Sequence, residues 1–313
     1  MFSTSAVTVR QESINDYLAI ADVHYHAFEN RQAEAKIVAL HRQRYCFEPK
    51  LSLVAETGGR IVGHVLYSPR TLRVMGQDIG ALILGPLGVL PEWQGRGVGS
   101  VLMRAGDDLA RTLGYPFVVL LGHDTYYPRF GYVGNAFGFS TLTLRAGAAL
   151  HLFEGAVEAR PVQAGDEPAL MALWRIEEAG VDLSVVPDDD LSAWLSPNPR
   201  ITCSVYLRDG KIVGYTRVSA DEPGQVRMFL ARDVNASVEI AAALGQGRSL
   251  ALPLHPRSGS ARVLSEYGDW SYRADPHCMA RALTPSMFDS YMALMRRGQR
   301  IPGRILWPAE FDV

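Results

Sequence analysis

The segment Leu87-Gly88-Val89-Leu90-Pro91-Glu92-Trp93-Gln94-Gly95-Arg96-Gly97-Val98-Gly99 constrains the fold more than any other. An apolar run stops at Pro91, a glycine-rich turn follows, and an amphipathic stretch runs from Ser100 to Leu113. Strand, loop and helix in that order aim several free backbone N–H groups at one point, the positive end of a helix dipole. Glycines at 95, 97 and 99 remove Cβ atoms that would hold an anion away. The spacing therefore predicts a turn that grips a phosphate or pyrophosphate with main-chain amides rather than lysines.

Several ligands fit such a turn. A P-loop needs a lysine after its last glycine, and none follows Gly99. A dinucleotide fold needs G-x-G-x-x-G after a first strand; here G-x-G-x-G stands about 95 residues in, after several predicted strands. A glycine turn with no ligand is the plainest alternative. Gln94-Gly95-Arg96-Gly97-Val98-Gly99 resembles the Q/R-x-x-G-x-G/A loop of the GNAT-family N-acetyltransferases, which binds the pyrophosphate of acetyl-CoA. The surroundings agree. Phe117–Leu121 reads as a buried strand. Beyond it, Tyr127-Pro128-Arg129-Phe130-Gly131-Tyr132 resembles the family element in which a tyrosine stands four residues before Gly-Phe or Gly-Tyr. Upstream, Arg60–Tyr67 resembles the family's central hairpin, and the resemblance spans residues 7 to 145 in the expected order.

The resemblance implies a mixed α/β fold with a splayed sheet. The strand before the loop, about Ala81 to Leu90, would part from its neighbour and pair with the pantetheine arm. Leu87 and Val89 would offer main-chain groups to that arm, with the Val89 amide donating to the thioester oxygen. Gly85-Pro86 inside the run marks an edge or a bulge, as a splayed strand needs. Gln94 and Gly95 would shape the entry to the turn. The backbone of Arg96, Gly97, Val98 and Gly99, with the Ser100 hydroxyl, would hold the pyrophosphate; the Arg96 side chain is either a phosphate partner or a solvated cation. By the same resemblance Tyr127 is the general acid that protonates the departing thiolate, with Tyr126 as its rival. The family often carries an Asn and a small helix before this tyrosine; Gly122-His123-Asp124-Thr125 is shorter. The general base stays open among His24, His26, Glu29, His64, His123, Asp124 and water.

The chain reads as containing its fold twice. Ala6-Val7-Thr8-Val9-Arg10 resembles Ala156-Val157-Glu158-Ala159-Arg160, and Arg60-Ile61-Val62-Gly63-His64 resembles Lys211-Ile212-Val213-Gly214-Tyr215, at offsets of 150 and 151 residues. The expectation is a catalytic GNAT domain over 1–147 and a degenerate GNAT-like domain over 155–313. The second copy lacks the pyrophosphate loop: Ala231-Arg232-Asp233-Val234 sets a carboxylate where the anion would sit. Gly245-Gln246-Gly247 is expected at a helix C-terminus, the wrong end for an anion.

Composition excludes several other classes. A net charge of −2 gives no long-range attraction to nucleic acid, and no apolar run reaches the ~18–20 residues of a membrane span. Met1–Ser5 lacks the pattern of a secretory signal, and Cys46, Cys203 and Cys278 stand far apart; both suit a reduced cytoplasm. No metal-ligand spacing is visible. Only three of the 31 basic residues are lysine (Lys36, Lys50, Lys211), and the scattered arginines read as compositional bias. The expected function is transfer of acetyl from acetyl-CoA to a primary amine, small molecule or peptide, by direct attack in a ternary complex. The alternative is a non-catalytic acyl-CoA sensor. Homodimerisation is compatible with either.

Overall fold

The computed structural model describes residues 7–148 and 157–313. The first half runs β1 (Thr8–Gln11), α1 (Tyr17–Ala27), α2 (Ala33–His41), β2 (Ser52–Thr57), β3 (Arg60–Val74), β4 (Gln77–Val89), α3 (Val98–Thr112), β5 (Phe117–Leu121) and β6 (Gly138–Leu144). Gly58 and Gly59 close the β2–β3 hairpin where the sequence places a tight turn. In α3, Val98, Leu102, Met103, Gly106 and Ala110 recur at helical spacing, and this stripe is the buried face. It packs with α1 on one face of the sheet, over Val54, Val62, Leu66 and Leu82.

The second half supplies β7 (Glu158–Pro161), α4 (Glu167–Glu177), β8 (Leu183–Val185), β9 (Ile201–Arg208), β10 (Lys211–Ser219), β11 (Val226–Ala231), α5 (Val234–Gly245), β12 (Leu250–Leu252), α6 (Ala261–Leu264), β13 (Gly268–Ala274), β14 (Cys278–Ala282) and α7 (Met287–Arg296). The halves exchange strands. The large sheet has the order β1-β2-β3-β4-β5-β14, so its last strand comes from the far end of the chain. The short β8 also pairs with β3. Conversely, β6 leaves the first half to lie between β12 and β13. On the other face of the large sheet, Phe288 and Tyr291 of α7 pack with Leu72 and Phe117. The sheet is thus buried on both sides, which explains why β4 and β5 are continuous apolar runs rather than alternating ones.

A four-stranded sheet, β11-β10-β9-β7, repeats the neighbour order of the first four strands: β7, β9, β10 and β11 lie side by side as β1, β2, β3 and β4 do. Details recur as well. Arg10 holds Asp16 through two bonds of 2.7 and 2.9 Å, while Arg160 holds Asp166 through two of 2.8 Å. Each aspartate also accepts a backbone N–H, from Ser13 or Gln163. The register slips between Ile61 and Gly63 in one hairpin and between Ile212 and Gly214 in the other. Most of the boundary placed at 147–155, with Met1–Ser5, Ala6 and Ala156, lies outside the described residues. Near the C-terminus, Arg300 reaches Asp182 at 3.3 Å and Arg304 pairs with Glu178 in the interior.

Candidate active site

The strand before the glycine turn does part from its neighbour. β4 and β5 pair in parallel only at Leu82–Val118 and Ile83–Val119. Just beyond, Leu66 of β3 stands opposite both Gly85 and Pro86, a bulge that redirects β4. Which main-chain groups then face the gap follows from parity. The Leu90 N–H donates to the Val62 carbonyl at 3.0 Å, so Leu90 and Gly88 spend their polar groups on β3. Leu87 and Val89 alternate with them and turn their N–H groups to the open edge. The Val89 carbonyl faces the same way and accepts the Gln94 side-chain amide at 3.0 Å, which ties the turn to the strand.

The turn behaves as a left-handed entry to α3. Gly95 has φ +70° and Gly97, the residue capping the helix, has φ +83°. An added Cβ at either would meet no protein atom, so the space above the turn is open. The first intrahelical bond is Val101 N–H to Gly97 carbonyl at 3.1 Å, which leaves the amides of Val98, Gly99 and Ser100 free. Gly99 has a further explanation beyond the one its spacing suggests. The Tyr126 hydroxyl lies 2.5 Å from where its Cβ would be, so the packing of Tyr126 by itself requires glycine there. Arg96 lies over the Trp93 ring at 5.2 Å, on the exposed side of the turn.

The two tyrosines part company. Tyr126 directs its hydroxyl to the start of α3, at Gly99 and Ser100. Tyr127 opens a short 3-10 turn and packs its ring against Gly122 at the end of β5. It is 9% exposed, and burial, then its neighbour Tyr126, push its phenol up from the ordinary value. Among the described residues its hydroxyl has no protein hydrogen-bond partner. Tyr127, Leu84, Gly85, Pro86, Leu87 and His123 all line one cavity of about 630 Å³ in the splay. The far wall of that cavity is formed by Phe139 of β6 and, from the second half, by Arg217, Val226, Arg227, Trp307 and Phe311. Sequence reasoning missed these residues, because nothing local marks them. It also missed Glu34, whose place in the first turn of α2 reads as an ordinary dipole partner.

The histidines weighed as bases also separate. His24 and His64 are fully buried, and His24 Nε2 lies 2.7 Å from His64 Nδ1. Ser52 donates to Glu12 at 2.6 Å and so accepts from His64 Nε2 at 2.8 Å. His64 Nδ1 then accepts from His24 Nε2, which leaves His24 Nδ1 as an unpartnered lone pair. Burial, above all, pushes both imidazoles below their ordinary value. Burial acts to raise Glu12, but the bonds from His64, Arg42 and Ser52 outweigh it and hold its carboxyl at about 2. His26 and Glu29 lie on the exposed surface, away from this network.

At the corresponding place in the second half, Asp233 caps α5 and accepts the Ala236 N–H at 2.8 Å, while Arg208 holds its other oxygen. The protein's own carboxylate occupies that helix end. Gly245 and Gln246 close α5 at its C-terminus, as the sequence predicts. Among the described residues no group of side chains could hold a metal ion, and no helix is long and apolar enough to cross a membrane.

Residues 8–133 match the family model described as an acetyltransferase (GNAT) domain. The uncharacterised N-acetyltransferase YjhQ of Escherichia coli (strain K12) is 42% identical over 99 residues, 32% of this chain and 55% of that protein. The uncharacterised N-acetyltransferase YhbS of the same strain is 36% identical over 107 residues, 34% of this chain and 61% of that protein. The chain thus spans little more than half the length of these curated relatives. A GCN5-related N-acetyltransferase from Kribbella flavida superposes with a TM-score of 0.70 at 20% identity, over 89% of this chain and 72% of that one, and shares the fold. Over residues 8–133 this chain is therefore similar to the GNAT acetyltransferase domain, and along most of its length it shares the fold of that solved structure.

Proposed function

We propose that the protein transfers an acetyl group from acetyl-CoA to a primary amine by direct attack. One observation carries the reading: the open edge of β4 at Leu87 and Val89 runs into free amides at the start of α3, with Tyr127 lining the same cavity. The amides of Val98, Gly99 and Ser100, with the turn from Gln94 to Gly97, would receive the pyrophosphate. The edge N–H groups of Leu87 and Val89 would align the pantetheine arm, the second one polarising the thioester carbonyl. Acetyl-CoA supplies an activated acyl group; the neutral amine forms the C–N bond as the C–S bond breaks. The Tyr127 hydroxyl would give its proton to the leaving sulfur and regain one from the amine through water. N-acetyl amine, free coenzyme A and one proton leave per ammonium consumed.

The same reading assigns 1–147 as the catalytic unit and 155–313 as a degenerate second copy that closes the acceptor side. The recurrent arginine–aspartate clasp and the Asp233 cap support it. The test is calorimetry with acetyl-CoA together with Tyr127→Phe. We expect binding by wild type and variant alike, and turnover of an amine reduced by about 100-fold or more in the variant. Binding without turnover of any amine by wild type would instead indicate an acyl-CoA sensor. No heat with acetyl-CoA would refute both.

A further inference from the structure

Beyond the splay, the cavity is walled by rings and aliphatic groups, among them Phe28, Ile37, Trp307 and Phe311. Trp307 and Phe311 form a continuous surface, their centroids 5.5 Å apart. One carboxylate on this wall, that of Glu34, makes no hydrogen bond or ion pair among the described residues. Glu34 lines the cavity, yet its Oε2 is shut off from solvent and accepts no hydrogen bond. A helix-start acid that served only the dipole of α2 would keep both oxygens in water. A carboxylate left without a protein partner beside apolar walls favours a bound cation that pairs with it. The other charged groups on the wall are already engaged with each other: Arg217 and Arg227 flank Asp312 at 3.3 and 3.4 Å.

The geometry points to an acceptor of one class: a primary amine on an aromatic or similarly flat apolar body, its ammonium received by Glu34 and its body laid against Trp307 and Phe311. This rests on the acetyltransferase reading for its chemistry but not for its binding. Glu34 holds the ammonium form; the proton is lost before attack and leaves to solvent, so the overall balance is unchanged. Polyamines and amino sugars lack the apolar body and are the wrong acceptors.

The test uses the full chain and 2-phenylethylamine as probe, with 2-phenylethanol as its uncharged counterpart and spermidine as its polar one. Calorimetry without acetyl-CoA reads the cavity alone. We expect 2-phenylethylamine to bind wild type about 10- to 100-fold more tightly than Glu34→Gln, as loss of one charge-assisted bond implies. 2-Phenylethanol should bind the two proteins equally, and spermidine should bind wild type at least about 10-fold more weakly than 2-phenylethylamine. With acetyl-CoA present, the variant should show a raised KM for the amine and an unchanged affinity for acetyl-CoA. Trp307→Leu, which keeps Glu34, should weaken 2-phenylethylamine and 2-phenylethanol together. Equal binding of 2-phenylethylamine by wild type and Glu34→Gln, or no binding by either, overturns the inference even if some amine is acetylated. Intact binding with Glu34 dependence, but no transfer to any amine, sinks the acetyltransferase reading and leaves the site standing.

Discussion

Gly88→Ala isolates how the edge of β4 is set. Gly88 lies between Leu87 and Val89, and a Cβ there would meet His24 Nδ1 at 2.8 Å, His24 Cε1 at 3.1 Å and the Ala27 Cβ at 3.4 Å. A carbon normally sits about 3.5–4.0 Å from its packing neighbours, so roughly half an ångström or more must be found. His24 cannot supply it cheaply. Its ring is fully buried and fixed by the 2.7 Å bond to His64, which is itself fixed through Ser52 to Glu12. The strand must therefore move toward the cavity. Overpacking of this kind costs about 1–3 kcal/mol, offset by roughly 0.5–1 kcal/mol from removing a strand glycine. The net expectation is a loss near ~1–2 kcal/mol, read as the denaturant midpoint. Under the proposed mechanism catalysis should suffer more, because the Val89 amide would be displaced from the thioester oxygen. An ångström of misplacement costs on the order of 100-fold, so kcat should fall about 10- to 100-fold while acetyl-CoA affinity changes by less than about threefold. Gly80→Ala is the control. It sits on the same strand, and its Cβ would meet nothing within 4 Å. Stopped-flow release of coenzyme A gives kcat for all three proteins. If Gly88→Ala matches wild type, or Gly80→Ala falls as far, the account of the strand edge is wrong.

Other expectations follow from the same geometry. Gly97→Ala must hold a left-handed backbone at about 1–2 kcal/mol, so it should weaken acetyl-CoA binding about 10-fold or more in calorimetry without unfolding α3. His24 and His64 are held below their ordinary value, so the unfolded chain takes up more protons as pH falls below about 6.5. Stability should be full above that pH and decline as pH drops through the folded values; His64→Gln should flatten the slope of midpoint against pH. Glu177 runs the other way: burial raises it to about 7 from 4.5, so the stability it contributes is present below 4.5 and lost as pH rises through 7. Glu177→Gln should remove that loss, and a variant that keeps the wild-type slope would refute the assignment.

The glycine turn was legible because its determinants are short-range. Thirteen consecutive residues carry the strand, the turn and the helix start, and the apolar spacing of α3 names its buried face. The bulge at Gly85-Pro86 was legible for the same reason: proline has no N–H to spend on a neighbour. Long-range features were not. β14 is five ordinary residues, and only the unfilled edge of β5 gives it a place. Glu34, Trp307 and Phe311 meet across a cavity that no local pattern announces. His24 and His64 could be listed singly as bases, but their mutual contact and burial depend on α1 packing against the central hairpin. Gly99 carries a second reason that its own stretch does not contain: the close approach of Tyr126.

The exchange of strands between the halves has a consequence for synthesis. The edge of β5 is met, residue for residue, by Cys278–Ala282. Until those residues emerge from the ribosome, more than 150 positions after β5 itself, the first half offers an apolar row of unpaired amides and carbonyls to whatever strand arrives first. Release of a chain interrupted near residue 147 would leave that row exposed for good, so damage by premature termination should appear as aggregates rather than as a shorter folded chain.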